Sequence, residues 1–190
     1  MLRHLKFLCA RSLYFCFRFF HGGDFHIVSR KGIRYELDLS EIIDFSIYFL
    51  GTFQKHMIKQ KYFTLPEKPV IFDIGANMGQ MTLNYVKTSP KSVVYAFEPT
   101  NYAFNKIQKN ISLNPELSKR IILTKAFVSN KSENNAPIKA FASWKIVPDE
   151  STESITHPVH LGTVKKATQT PSIRLDDYII QNNIKNLDFP

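Results

Sequence analysis

The sequence predicts an α/β protein organised on a doubly wound parallel sheet, and three observations carry that expectation. Two short continuous apolar runs, Val70–Ile74 and Val93–Phe97, are bounded by Pro69 and Gly75 and by Glu98-Pro99, as strands covered on both faces are. Each is followed by a stretch with helical spacing, residues 80–86 and 101–113, so strands and helices alternate and imply right-handed crossovers. A third apolar run at 121–128 follows the second helix.

Composition sets the limits within which this reading works. The chain has 190 residues, enough for one ordinary domain, and its 44 % hydrophobic content supplies a core. With 7 Gly and 10 Pro it is neither collagenous nor of low complexity. The net charge is +9, yet the excess is concentrated at one end: residues 1–34 carry Arg3, Lys6, Arg11, Arg18, Arg30, Lys31 and Arg34 against Asp24 alone. A nucleic-acid binder spreads cations across its folded surface, so no nucleic-acid partner is expected. Cys9 and Cys16 are the only cysteines, which excludes a disulfide scaffold and a four-thiolate zinc site and fits a reducing, cytoplasmic compartment.

Taken in order, residues 2–20 are mostly Leu, Phe, Tyr and Cys, but charges interrupt every apolar run before the ~18 residues that a membrane span needs. At 100° per residue His4, Arg11 and Arg18 form a narrow basic stripe, with Leu2, Cys9, Leu13, Cys16 and Phe20 on the opposite side. Two readings stand side by side: an in-plane anchor on an anionic membrane surface, giving peripheral membrane contact, or a helix packing its apolar side on the main domain. His21-Gly22-Gly23 ends this helix, so residues 1–23 form the first segment. Alternation through 25–28 and 33–39 around Arg30-Lys31-Gly32 predicts a hairpin. Ser40-Glu41 is expected to cap a helix that Gly51 stops, and a second helical stretch covers 52–62, completing a segment over 24–66. Beyond the third strand, 129–171 loosens into a hairpin or long loop. A short strand and helix follow at 172–180, and Leu187-Asp188-Phe189 has the look of a strand beginning.

The chemistry is concentrated where the first buried strand hands over to a helix, in Asp73-Ile74-Gly75-Ala76-Asn77-Met78-Gly79. Glycines there let the backbone turn tightly and approach a ligand. A P-loop needs Gly-Lys-Ser/Thr, and no cation lies between Lys68 and Lys87. The dinucleotide fingerprint needs glycines where this loop has Asn77 and Gln80. S-adenosyl-L-methionine fits better, since it carries a sulfonium and an amino-acid end in place of a pyrophosphate. Asp73 suits its ammonium, and the N–H groups of 75–79 suit its carboxylate. Glu98, at the tip of the next strand, stands where a doubly wound domain places an acid for the ribose hydroxyls.

Together with Ala96-Phe97-Glu98-Pro99 and Leu175-Asp176-Asp177-Tyr178, that loop resembles the FkbM-type S-adenosyl-L-methionine-dependent methyltransferases over residues 34–190. The resemblance implies a Rossmann-like methyltransferase sheet, here preceded by a helix and a hairpin, with 67–190 forming the N-terminal part of that domain. It implies cofactor binding by Asp73, Gly75, Asn77, Gly79 and Glu98, and O-methylation of a sugar, glycan or related small-molecule hydroxyl. Asn101, Tyr102 and Phe104 open the next helix and are candidates for the adenine pocket or for helix packing. Family members continue into a Lys-x-Asp-x-Glu-Gly segment, whereas this sequence ends at Asp188-Phe189-Pro190. The sheet is therefore expected to be incomplete at its C-terminus, as in a shortened gene product whose turnover is lost or depends on a partner, with the catalytic groups unassigned. The alternatives are a non-catalytic cofactor-binding or interaction fragment of such an enzyme and an NAD-type oxidoreductase. His157 and His160 are read as loop histidines without a third metal ligand, Trp144 as packing, and Asp176 and Asp177 as a helix start.

Overall fold

The computed structural model describes residues 2–53, 65–133, 139–141, 145–146, 164–167 and 169–188. The helix expected at 52–62 falls almost wholly outside them, as do His157, His160, Trp144 and Phe189 and most of the 129–171 segment. The chain divides into two compact units, Met1–Phe53 with Phe141–Val164, and Gln54–Ala140 with Lys165–Pro190.

In the first unit, helix α1 (Leu2–His21) precedes the hairpin of β1 (Phe25–Arg30) and β2 (Ile33–Asp38), then helix α2 (Ile42–Leu50). The strands pair antiparallel from Phe25 with Asp38 to Arg30 with Ile33, across the expected Lys31-Gly32 turn. Alternation along β2 buries Ile33, Tyr35 and Leu37, which form the core with Leu39, Phe45, Ile47 and Ile146. Ser40 does not cap α2. Its hydroxyl donates to Asp38 Oδ1 at 2.6 Å, and Glu41 takes the N-cap position without a side-chain bond. A short side chain two residues after an aspartate closes that local turn more readily than it reaches the helix.

The side of α1 that packs is not the one the basic stripe suggests. Tyr14 is buried and donates to Asp24 Oδ1 at 2.6 Å, while Phe17 meets His26, Tyr48 and Phe49 edge-on at centroid distances of 5.1–5.7 Å. Leu13, Cys16 and Phe20 are exposed. The ring surface of Tyr14 and Phe17 supplies the packed contact because Tyr14 also satisfies its hydroxyl there.

The second unit holds the parallel sheet, with strand order β3-β4-β5, from β3 (Val70–Ile74), β4 (Val93–Phe97) and β5 (Ile121–Thr124). Register runs Val70 with Val93 and Val94 with Ile121. Helices α3 (Gln80–Thr88) and α4 (Asn101–Ser112) follow β3 and β4, and a one-turn helix α5 (Pro115–Ser118) follows α4. One sheet face is closed by Ile71 and Val94 against Tyr85 and Val86 of α3, and by Ala96 against Ile107 of α4. The other face is aromatic: Phe72, Tyr95 and Phe97 surround Tyr178 of helix α6 (Leu175–Gln181) at centroid distances of 5.0–6.4 Å. The sheet is thus covered on both sides, as continuous apolar strands require.

Three expectations are corrected. The third strand is not continuous over 121–128: β5 ends at Thr124, and β6 (Phe127–Val128) pairs instead with β9 (Ser172–Ile173), parallel, in a separate sheet. Pro115 does not merely end α4, for it opens α5 at a position where its missing N–H costs nothing. Leu187 and Asp188 lie outside any strand. Asp188 nevertheless holds the first residue of β3 on the side away from β4, its N–H donating to Val70 O at 2.9 Å and its Oδ2 accepting from Val70 N at 2.8 Å. The remaining strands β7 (Lys139–Phe141) and β8 (Val164–Lys166) pair with each other, within the segment expected to form a hairpin or loop.

Candidate functional site

The site is assembled at the C-terminal ends of β3 and β4. After Ile74 the chain reverses at Gly75, whose φ is +75°, and the N–H groups of Gly75 and Ala76 both donate to Phe97 O, at 2.9 and 3.0 Å. Asn77 follows at a φ of +50°, a left-handed conformation that asparagine tolerates better than most residues. Gly79, at +86°, opens α3 and donates to Ala76 O at 2.9 Å. A side chain at Gly79 would stand 2.6 Å from Ile107 Cγ1, so glycine is required for α3 and α4 to approach. At Gly75 no atom lies within 4 Å of where a Cβ would stand, so the turn presents bare backbone to open space.

Two carboxylates border this turn. Asp73 faces α3, where the Thr82 hydroxyl donates to its Oδ2. Glu98 is only 5 % exposed. Its Oε1 accepts from the N–H and hydroxyl of Thr100 at 2.9 and 2.7 Å, and its Oε2 accepts from Asn77 N–H at 2.9 Å. Burial pushes the Asp73 carboxyl above its ordinary range; the bonds from Thr82 pull it down, and the charge of Glu98 adds to the rise. Burial, with the Asp73 charge beside it, moves the Tyr85 phenol up to about 12. Among the described residues no ion pair reaches Asp73 or Glu98.

The structure therefore brings Asp73, Gly75, Asn77, Gly79 and Glu98 to one place. Asn101 lies partly buried in the first turn of α4, three residues beyond Glu98. The expectation that the loop's N–H groups point at a ligand is corrected, since those of 75, 76, 77 and 79 already serve acceptors of the protein. The physical reason is that the turn lies against the end of β4, where Phe97 O and the Glu98 carboxylate face the N–H groups of 75, 76 and 77, while that of Gly79 closes the turn on Ala76 O.

Three residues of the site were not singled out from the sequence. Thr82 is fully buried and holds Asp73. Thr100 caps α4 by accepting from Ala103 N–H while donating to Glu98, and a threonine between a proline and a helix is a legible N-cap signal. Asn110, also fully buried, donates from its side-chain amide to Met78 O at 2.9 Å and so fixes the loop from α4. That contact spans 32 residues and leaves no local signature. Asp176 and Asp177 do open α6, with Arg174 at 3.5 and 3.8 Å.

Among the described residues, no cluster of His, Cys, Asp and Glu could hold a metal ion, and no helix is long and apolar enough to cross a membrane.

No protein-family profile matches the chain. A stretch of 89 residues is 30 % identical to methyltransferase sdnD of Sordaria araneosa, covering 43 % of this chain and 34 % of that protein. The chain thus spans about a third of the curated relative it matches. Among solved structures, M. jannaschii TYW2 in complex with AdoMet is similar at 24 % identity over 53 % of this chain and 42 % of that one, with a TM-score of 0.40. P. horikoshii TYW2 in complex with MeSAdo is similar at 23 % identity over 56 % and 38 %, with a TM-score of 0.42. Methyltransferase FkbM from Methylobacillus flagellatus KT is similar at 13 % identity over 49 % and 26 %, with a TM-score of 0.36. Each of these likenesses is partial, and none assigns a function.

Proposed function

We propose that the second unit binds S-adenosyl-L-methionine and that the chain serves methyl transfer to a hydroxyl group of a sugar, glycan or related small molecule. One observation carries the cofactor: two carboxylates, the half-buried Asp73 and the buried Glu98, border an open glycine turn, and no cation of the described residues neutralises them. A site whose own electrostatics disfavour its negative charge gains most from a positively charged ligand. S-adenosyl-L-methionine carries an ammonium and a sulfonium, which two carboxylates attract, whereas NAD brings a pyrophosphate, which they repel.

Each residue has a distinct task in this reading. Asp73 receives the ammonium, held for it by Thr82. Gly75 lets the ligand lie against bare backbone, and Asn77 and Gly79 set the turn. Glu98 receives ribose hydroxyl on the acceptor capacity of Oε2 that its bond from Asn77 leaves, while Asn101 lies toward the adenine side. When bound, the cofactor supplies an electrophilic methyl group. The contribution of the chain is binding and orientation. The likeness to sdnD and the FkbM-type motifs support the methyl-transfer class. The hydroxyl acceptor rests on the motifs alone, as does the peripheral membrane contact on the composition of α1.

Isothermal titration of the chain with S-adenosyl-L-methionine, S-adenosylhomocysteine and NAD tests the reading. Saturable binding of the first two, weakened at least about tenfold in Asp73→Asn, is expected, the loss of one charge-assisted contact. Binding of NAD in preference to both would overturn it.

A further inference from the structure

The aromatic residues of α1 divide into two sets. Tyr14 and Phe17 lie on the side that meets Asp24, His26, Tyr48 and Phe49. Leu13, Phe15, Cys16, Phe19 and Phe20 lie within one arc of about 160° at 100° per residue, on the far side. All five are exposed: Phe19 is 84 % and Phe20 77 % accessible, and Phe15 and Leu13 about half. The helix has no acidic residue and four basic ones, Arg3, Lys6, Arg11 and Arg18. Arg18 borders the apolar arc with its side chain 53 % exposed while it also touches Tyr14 and Asp24.

We propose that this exposed side of α1 is a docking face for an anionic lipid surface. The inference rests on the peripheral contact included in the reading above and names the side chains that make it. The helix lies with its packed side on β1 and α2 and its aromatic side outward, the arrangement of a helix that rests in the headgroup boundary. Charge selects the occupant. A second copy seated on the same face would bring two all-basic helices together, whereas an anionic bilayer neutralises them and accepts Phe15, Phe19 and Phe20 among its acyl chains. Exposed Phe15, Phe19 and Phe20 on a helix whose fixed charges are all positive are unsuited to bulk water and suited to that boundary.

The test is co-sedimentation of the full chain with phosphatidylcholine vesicles and with vesicles that also contain phosphatidylserine, for the natural sequence and for F19S/F20S. Binding to the anionic vesicles only, falling as salt is raised and weakened at least about tenfold in F19S/F20S, is the expected result. Both phenylalanines are outside the core, so the variant keeps its fold, which circular dichroism checks. Equal partition on the two vesicle types overturns the proposal. So does a dimer in solution that F19S/F20S converts to monomer without any vesicle binding, since the face then takes a second copy. Titration of S-adenosyl-L-methionine on the same samples separates the two readings: its failure beside intact vesicle binding removes the cofactor and leaves the docking face standing.

Discussion

The backbone N–H of Asn77 donates to Glu98 Oε2 at 2.9 Å, tying the turn behind β3 to the residue that ends β4. The same carboxylate accepts twice from Thr100, so one side chain joins the loop to the N-terminus of α4. Glu98 therefore holds the site together as well as facing it.

Replacing Glu98 by Gln tests that double role. The glutamine oxygen can still accept from Thr100, but its amide then meets the Asn77 N–H donor to donor. One half-buried donor loses its partner, and a destabilisation of about 1 kcal/mol in urea unfolding is expected. S-adenosyl-L-methionine affinity should fall with it. A variant as stable as the natural chain would show that the Asn77 contact contributes nothing.

The two loop glycines should respond differently to alanine. Both have positive φ, which costs a side chain about 1–2 kcal/mol. Gly79→Ala also drives a methyl to within 2.6 Å of Ile107, so its total loss should reach about 3 kcal/mol or more. Gly75→Ala meets open space and should lose only the conformational cost, yet it should weaken cofactor binding at least about tenfold by filling the approach. Urea titration and calorimetry on both variants check the contrast.

Asp73 sets stability against binding. Its folded-state carboxyl is raised, so the folded chain holds that proton more tightly than the unfolded one. The benefit is complete below the unfolded value of 3.8 and is lost as pH rises through the folded value, leaving a penalty at neutral pH. Asp73→Asn removes the charge and can still accept from Thr82. It should raise Tm at pH 7 by roughly 2–4 °C, the response to about 1 kcal/mol in a chain of this size. The gain should vanish in scans at low pH. A lowered Tm at pH 7 would contradict the buried-charge account.

Tyr85 gives an alkaline signature of the same cluster. Its phenol is raised from 10.0 to about 12, so the unfolded state releases that proton first and stability falls as pH climbs between those values. Tyr85→Phe should flatten the decline over that window, measured by urea midpoints at stepped pH. Equal slopes in both chains would remove the effect assigned to Tyr85.

Much of the second unit was legible in the sequence because its signals are local. Val70–Ile74 and Val93–Phe97 form the strands expected of continuous apolar runs, and the helices after them begin at Gln80 and Asn101, where the spacing places them. The candidates Asp73, Gly75, Gly79 and Glu98 follow from a strand end, a glycine turn and a second strand end, which are short-range features, and Asn77 follows from the family resemblance. What the sequence alone decided is therefore the alternation of elements, and with it the presence of two acids at adjacent strand tips. Tertiary structure decided which partners those groups have. The bonds of Asn77 to Glu98 and Asn110 to Met78 link residues 21 and 32 apart, and the loop N–H groups turn inward because β4 presents acceptors there. The same holds at the N-terminus, where periodicity shows that α1 has two sides, but only the surroundings of Tyr14 and Phe17 determine which one is packed. Hydrophobic patterning fixes what a segment can bury, whereas the choice among its possible partners depends on what the rest of the chain places beside it.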